Sequence, residues 1–243
     1  MSNVAIMRPL AATVAGNMTN ASRMATPDPK EVAYSAGGAA RTIDLDLGAA
    51  QNVGAIYLGG VSGTTAFAVT GGAGGYTDSA LGNILVAPKR TATAPRQYLL
   101  TFAPASLRYI RLSAALADGF EVGVATALER FTPTYNHEWG ASRTLLDTGS
   151  AQRLISGGFG INKGAVVPGW TFTLGDLLDD EREVLFDMLR KVGETSPIVI
   201  AEDPDVTADL DARLHYGIFQ RIGGYERPSL GITKWALTVA DWI

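Results

Sequence analysis

Apolar and polar residues alternate along much of the first half of the chain, which is the pattern of half-buried β-strands. The clearest alternation covers 42–48, and a second strand-like run over 53–58 follows after a short polar turn. Further runs cover 66–70, 96–102 and 108–112, with glycines clustered between them. Short strands at this spacing are typical of a sandwich or barrel, so we predict a mainly β fold.

One segment, at about 177–192, has helical periodicity. Acidic residues occupy its first turns, Arg190 and Lys191 its last, and Gly193 follows as the predicted C-cap. Strand-like runs surround it at 197–200, 216–222 and 235–242. We therefore predict a second β-domain with one amphipathic helix. The predicted apolar face consists of Leu177, Leu178, Val184, Leu185, Met188, Leu189 and Val192.

Changes in composition and in periodicity divide the chain into three parts. Residues 1–30 have no sustained period and end at Thr26-Pro27-Asp28-Pro29, which predicts an extended arm or a strand with a loop. As an arm, residues 3–26 would become ordered on a neighbour. A disordered tail without a partner is the alternative. Residues 31–128 form the predicted sandwich. Residues 129–243 form the second domain, since a linker-like stretch begins at 129 and all four Trp follow it.

Composition removes several classes of function. The 20 basic and 24 acidic residues give a formal net charge of −4, which leaves no basic surface for nucleic acid. Without cysteine there is no disulfide, thiolate zinc site or cysteine nucleophile. No apolar run approaches the roughly 18 residues that a membrane span needs, and we expect no export signal.

No known catalytic motif fits the sequence. The glycine-rich stretch 156–164 fails the phosphate-loop pattern because Lys163 has neither Gly before it nor Ser or Thr after it. Ser62 lacks the glycine that a nucleophile elbow needs two residues later. His137 beside Glu138 could act as a general base, but a structural histidine is the simpler interpretation, and His215 lies far away in sequence. We assign no catalytic, cofactor-binding or metal-binding residue and expect no enzyme activity.

Charged clusters leave two interpretations open. The acidic stretch 202–211 could offer oxygens to a hard cation such as calcium, or could be a hydrated loop. Asp44 and Asp46 fall on the outward phase of their strand. We expect Arg108 and Arg111 to have structural roles, on opposite faces of one strand.

The first half resembles the discoidin, or galactose-binding-like, jelly roll over about 17–128. The resemblance implies a jelly-roll sandwich, although Trp is absent at 32–34 and the family's cysteine pair is missing. Because ligand loops of this fold vary, sugar binding does not follow from it. Candidate sugar-binding residues are Tyr76, Asp78 and Asn83. The matching segments are 17–21, 43–48, 53–58, 108–112 and 121–123.

The second half resembles the β-domain of distal tail and tail-tip hub proteins of long-tailed bacteriophages. This implies a structural virion protein at the tail tip, made in the bacterial cytoplasm. It would form a ring of three- or six-fold order between tail tube and hub. The alternative is a lectin-like module that binds host-surface carbohydrate. The segments that carry the resemblance are, in order, 157–160, 170–174, 177–192, 193–200, 202–204 and 216–219.

Overall fold

The computed structural model describes residues 3–63, 66–85, 97–115, 119–205 and 212–242. The described part is mainly antiparallel strands with one α-helix, α1 (Asp179–Val192), and a 3-10 turn at Ala21–Ala25, so the predicted mainly β class is confirmed. None of its helices has the length and apolar character needed to cross a membrane. The strands are β1 (Ala5–Pro9), β2 (Thr13–Gly16), β3 (Ala33–Ser35), β4 (Arg41–Gly59), β5 (Ala66–Gly72), β6 (Ser79–Leu85), β7 (Gln97–Ala114), β8 (Phe120–Val122), β9 (Val124–Phe131), β10 (Ser142–Asp147), β11 (Ser150–Arg153), β12 (Phe159–Asn162), β13 (Val166–Leu177), β14 (Ile198–Ala201), β15 (Leu214–Ile222), β16 (Glu226–Ser229) and β17 (Ile232–Asp241).

The chain divides into two compact units. Unit 1 contains Met1–Thr132 and Val199–Leu214, and unit 2 contains Pro133–Ile198 and His215–Ile243. The first crossing lies close to the boundary predicted near 129. The later return to unit 1 was not predicted, and it occurs because β14 pairs with β1 near the start of the chain.

Unit 1 is an antiparallel sandwich whose two layers share the long strands β4 and β7. Near its start β4 pairs with β2 and the end of β7, and near its end it pairs with β9 and the start of β7. The β4–β7 register shifts between Asp46 and Gln51, where Gly48 has a φ of 74°. Such irregularities let a strand pass from one layer to the other.

The predicted separate strands at 42–48 and 53–58 are therefore one strand. The polar residues between them form a bulge and not a reversal of the chain. The runs at 96–102 and 108–112 likewise join into β7, of which 97–114 is described.

The core of unit 1 lies between the two layers. Ile43 and Ile110 come from one layer and Ile56 and Ala125 from the other, and all four belong to one buried cluster. Phe67 contributes an aromatic ring, edge-on to Phe120 at 5.6 Å. Burial from both sides is what a two-layer sandwich requires, and it matches the predicted N-terminal sandwich.

The first thirty residues form two strands and a 3-10 turn, so the alternative of a strand with a loop holds and the extended arm does not. Strand β1 lies between β14 and β9, with Ile6 opposite Ile200 on one side and Phe131 on the other. Ile6 and Met7 are fully buried, and Met24 of the 3-10 turn is buried as well. The segment belongs to unit 1 because its short apolar run fills a central strand position.

Unit 2 is built on the sheet order β10-β13-β17-β15, with β16 on the side of β17. Trp170 and Phe172 of β13 stack at 4.2 Å and are buried. Trp235 of β17 is also buried, and its indole N–H donates to the carbonyl of Gly223 at 2.9 Å. Two of the four Trp, Trp170 and Trp235, are therefore core residues of unit 2, whereas Trp139 is fully exposed.

Helix α1 confirms the predicted helix with a later start. Leu177 belongs to β13 and Leu178 is extended, so the helix begins at Asp179. The Glu181 carboxylate accepts the N–H groups of Leu178 and Thr134, and Gly193 ends the helix at a φ of 62°. The buried face is narrower than predicted, since Leu178 and Val184 are exposed. It consists of Leu185, Met188, Leu189 and Val192.

Candidate binding surfaces

A solvent-exposed β-hairpin is the most distinctive surface of unit 2. We call residues 148–166 the exposed hairpin; it contains β11, β12 and the turns beside them. Its strands pair antiparallel from Ser150 opposite Asn162 to Arg153 opposite Phe159. The tip, residues 154–158, is closed by two backbone hydrogen bonds between Leu154 and the glycines Gly157 and Gly158. The glycine-rich stretch 156–164 therefore belongs to the hairpin, where it forms part of the tip, strand β12 and part of the base.

The base of the exposed hairpin is fixed by backbone and side-chain hydrogen bonds. The Thr148 N–H and hydroxyl both reach the Ala165 carbonyl, at 3.0 and 3.1 Å. Asp147 accepts the Gly149 N–H at 2.7 Å. Gly164 passes so close to the Gly149 backbone that a side chain at 164 would clash with it. These contacts give the hairpin a defined direction from the sheet.

The exposed hairpin presents large apolar side chains to solvent. Ile155 at the tip is fully exposed, and Phe159 and Ile161 are 65% and 70% exposed. Because cross-strand neighbours share a face, Arg153, Phe159 and Ile161 lie on one side of the hairpin. Exposed apolar patches larger than a few hundred Å² are rare on monomeric soluble proteins and mark interaction sites. Leu145 of β10, Leu154 and Val166 are also exposed.

A cavity of about 450 Å³ opens in unit 2 next to the base of the exposed hairpin. Its apolar lining comes from four strands, β10, β13, β15 and β17, and two carboxylates, Asp147 and Asp241, also line it. Asp241 is largely buried and pairs with His215 Nδ1 at 3.1 Å. The lining residues are Leu146, Asp147, Thr148, Val167, Ile218, Gln220, Ala240, Asp241 and Trp242.

Both histidines contact the same tryptophan, a proximity that their sequence separation gave no reason to expect. His215 stacks on Trp170 at 5.4 Å, and His137 meets it edge-on at 5.3 Å. His137 Nδ1 lies 3.0 Å from the Glu138 carbonyl, while the Glu138 carboxylate pairs with Lys234 at 2.9 Å. The geometry does not assemble a His137–Glu138 acid–base pair. His215 is buried in the core, and His137 is half-buried against Trp170.

The outer face of the unit 1 sheet carries two ion pairs. Arg111 holds Asp44 through two hydrogen bonds of 2.6 and 2.7 Å, and Arg108 holds Asp46 at 3.0 Å. The hydrogen bonds from Arg108 and Gly48 hold the pKa of Asp46 below its ordinary value. Arg108 and Arg111 thus reach the same face, contrary to the prediction, because the irregular β4–β7 register next to Arg108 breaks the simple alternation.

Two tyrosines complete this polar surface, which we call the tyrosine patch: Asp44, Asp46, Tyr76, Arg108, Tyr109 and Arg111. The rings of Tyr76 and Tyr109 lie 5.0 Å apart. The Arg111 guanidinium lies 5.0 Å from the Tyr76 ring, and that of Arg108 lies 4.6 Å from the Tyr109 ring. Burial, with the Asp44 and Asp46 charges, raises the pKa of Tyr76.

Of the three residues predicted to bind sugar, only Tyr76 belongs to the tyrosine patch. The Asp78 carboxylate accepts the N–H groups of Gly74 and Gly75, so it shapes the loop. Asn83 is exposed on β6, opposite Ala68. The acidic stretch 202–211 lies partly outside the described residues, which end at 205 there. Within the described part of the chain, no group of acidic or histidine side chains is arranged to hold a metal ion.

Comparison with solved structures finds distant likenesses to carbohydrate-binding domains. The lectin domain of lectinolysin, complexed with Lewis B antigen, is 12% identical and covers 49% of this chain and 92% of its own, with a TM-score of 0.37. The family 32 carbohydrate-binding module of C. perfringens NanJ, in complex with galactose, is 15% identical and covers 51% and 99%, with a TM-score of 0.38.

A chitosan-binding module from a Paenibacillus chitosanase/glucanase is 17% identical and covers 49% and 96%, with a TM-score of 0.37. Likenesses at this level do not determine what this chain binds. No protein-family model matches the sequence. No curated protein matches it either.

Proposed function

We propose that the protein is a structural assembly protein of a bacteriophage tail tip, which joins copies of itself into a ring through the exposed hairpin. The observation that carries the proposal is the apolar surface of that hairpin, with Ile155, Phe159 and Ile161 exposed to solvent. Burying a large apolar side chain contributes about 1.5–3 kcal/mol, so three of them can support a stable contact. The defined base of the hairpin limits the ordering entropy that association costs.

Placement in a tail tip is supported by the resemblance of residues 131–243 to distal tail and hub proteins. A ring needs two different surfaces on each copy, so that a repeated contact closes by rotation. Strand β10 offers one such surface beside the hairpin. It ends the sheet order of unit 2, and in the described part of the chain no strand pairs with its outer edge.

The proposal is tested by the solution mass of the purified protein, measured by light scattering over a range of concentrations. We expect a discrete species of three or more subunits and a closed ring by negative-stain electron microscopy. The double variant Phe159→Ser/Ile161→Ser should be a folded monomer. Leu230→Ser is the matched control, because Leu230 is 98% exposed but lies in the β16–β17 turn. A wild-type monomer at high concentration would contradict the proposal.

Carbohydrate binding is the second candidate function, and the tyrosine patch favours it. Paired aromatic rings offer an apolar face to a sugar, while ion-paired Asp and Arg side chains present fixed donors and acceptors. The test is calorimetric titration with a panel of neutral and acidic oligosaccharides. Tyr76→Ala should abolish any binding, and Tyr135→Ala, which removes an exposed tyrosine of unit 2, should preserve it. Equal binding by both variants would exclude the patch.

A further inference from the structure

We propose that the cavity of unit 2 is the acceptor for the tip of the exposed hairpin of a second copy of this chain. The inference rests on the proposed self-assembly and assigns the acceptor to the cavity, to which β10 contributes Leu146 and Asp147, and not to the edge of β10. The first reason is chemical match. The tip presents the fully exposed Ile155, and the cavity presents apolar walls from Leu146, Val167, Ile218 and Trp242.

Charge complementarity selects the same occupant. Residues 148–166 contain two basic residues, Arg153 and Lys163, and no acidic one. Asp147 and Asp241 line the cavity, and no Lys or Arg is among the described residues that line it. Arg153 immediately precedes the tip, so insertion of Ile155 brings its guanidinium close to these carboxylates. Attraction between Arg153 and these carboxylates would favour this orientation over tip-to-tip contact, which places two Arg153 side chains together.

The size and reach of the two surfaces require two copies. The cavity, at about 450 Å³, lies within the range of pockets that hold a ligand or a side-chain anchor. Strands rise about 3.3 Å per residue, so the tip lies roughly 15 Å from the base of the hairpin. Because Asp147 at that base lines the cavity, the tip cannot enter its own cavity while β11 and β12 remain paired.

The experiment mixes two variants that each lack one surface. Ile155→Asp places a negative charge at the tip, and Gln220→Arg places a positive charge at an exposed position that lines the cavity. Each variant alone should self-associate about 10- to 100-fold more weakly than wild type, as expected for the loss of one buried anchor. Mixed, they should form a 1:1 complex, since one variant keeps its cavity and the other its tip.

A second cavity variant, Ala240→Trp, fills the space without adding charge, and circular dichroism checks that each variant is folded. If Gln220→Arg and Ala240→Trp keep the wild-type mass, or if the mixture stays monomeric, the cavity is not the acceptor and the inference is overturned while self-assembly stands. If the wild-type protein is itself a monomer, both the inference and the proposed function fail.

Discussion

Replacing Ile6 by alanine tests whether the first residues of the chain belong to the fold of unit 1. Ile6 is fully buried in β1, between Ile200 of β14 and Phe131 of β9. The substitution removes three carbons, which at about 0.8 kcal/mol each lose roughly 2.4 kcal/mol of burial. A residual cavity between two paired strands increases the loss, so we expect a destabilisation of about 2–5 kcal/mol.

The assay is thermal unfolding followed by circular dichroism. For a domain of this size, the expected loss lowers the melting temperature of unit 1 by about 4–20 °C. Leu230→Ala is the matched control, since it also removes three carbons but from an exposed side chain, and should change stability by less than about 0.5 kcal/mol. Equal melting temperatures for the two variants would refute the placement of β1 in the core and restore the extended arm.

Two further predictions concern polar groups. The Thr233 hydroxyl is fully buried and has no hydrogen-bond partner in the described part of the chain, so Thr233→Val should stabilise by about 1–3 kcal/mol in chemical denaturation. Thr238→Val, which breaks the 3.1 Å hydrogen bond to Thr171, should destabilise, and a loss of stability in both would contradict the reasoning. The pKa of Asp46 is lower in the folded protein than in the unfolded chain, where it is about 3.9. The pair with Arg108 therefore stabilises the fold above about pH 3.9, and this stability is lost as the pH falls through the folded-state pKa. Asp46→Asn should therefore flatten the decline of melting temperature below about pH 5, and an unchanged decline would show that the pair does not contribute.

The sequence predicted the positions of strands better than their connections. Alternation over 42–48 correctly places Ile43 and Leu45 in the core. The same pattern cannot distinguish a turn from a bulge, because Gly48 at positive φ suits both. The fusion into β4 depends on pairing with β7, whose residues lie about fifty positions later. Such long-range pairing is invisible to any local pattern.

The burial of residues 5–9 was missed for a related reason. A strand that is covered on both faces shows no alternation of apolar and polar residues. A short apolar run such as Ala5–Pro9 therefore cannot be distinguished from an irregular segment by its pattern. Its partner β14 follows nearly two hundred residues later. Helix α1 was predicted almost completely, because its period, charges and C-cap are all local features.

The exposure of the hairpin was also not predicted from the sequence. Its apolar residues have the composition of core strands, and composition does not tell which side of a strand faces solvent. One available signal was the absence of acidic residues across 148–166, beside four glycines at its turns and base. The cavity had no such signal, because its lining comes from strands that are distant in sequence.

The number of surfaces that each copy contributes limits the possible assemblies, and the rotation between neighbouring copies decides among them. A tip-to-cavity contact joins two different surfaces, so each copy has one tip and one cavity to satisfy. In a dimer, both tips and both cavities are occupied only if each copy inserts its tip into the other copy. In any other arrangement the contact continues to a third copy, until the rotation between copies closes a ring. A wild-type dimer would therefore preserve the tip-to-cavity contact but contradict the tail-tip ring. Three or more subunits in one closed species would support both. An open filament would show that the contact exists without the rotation that a ring requires.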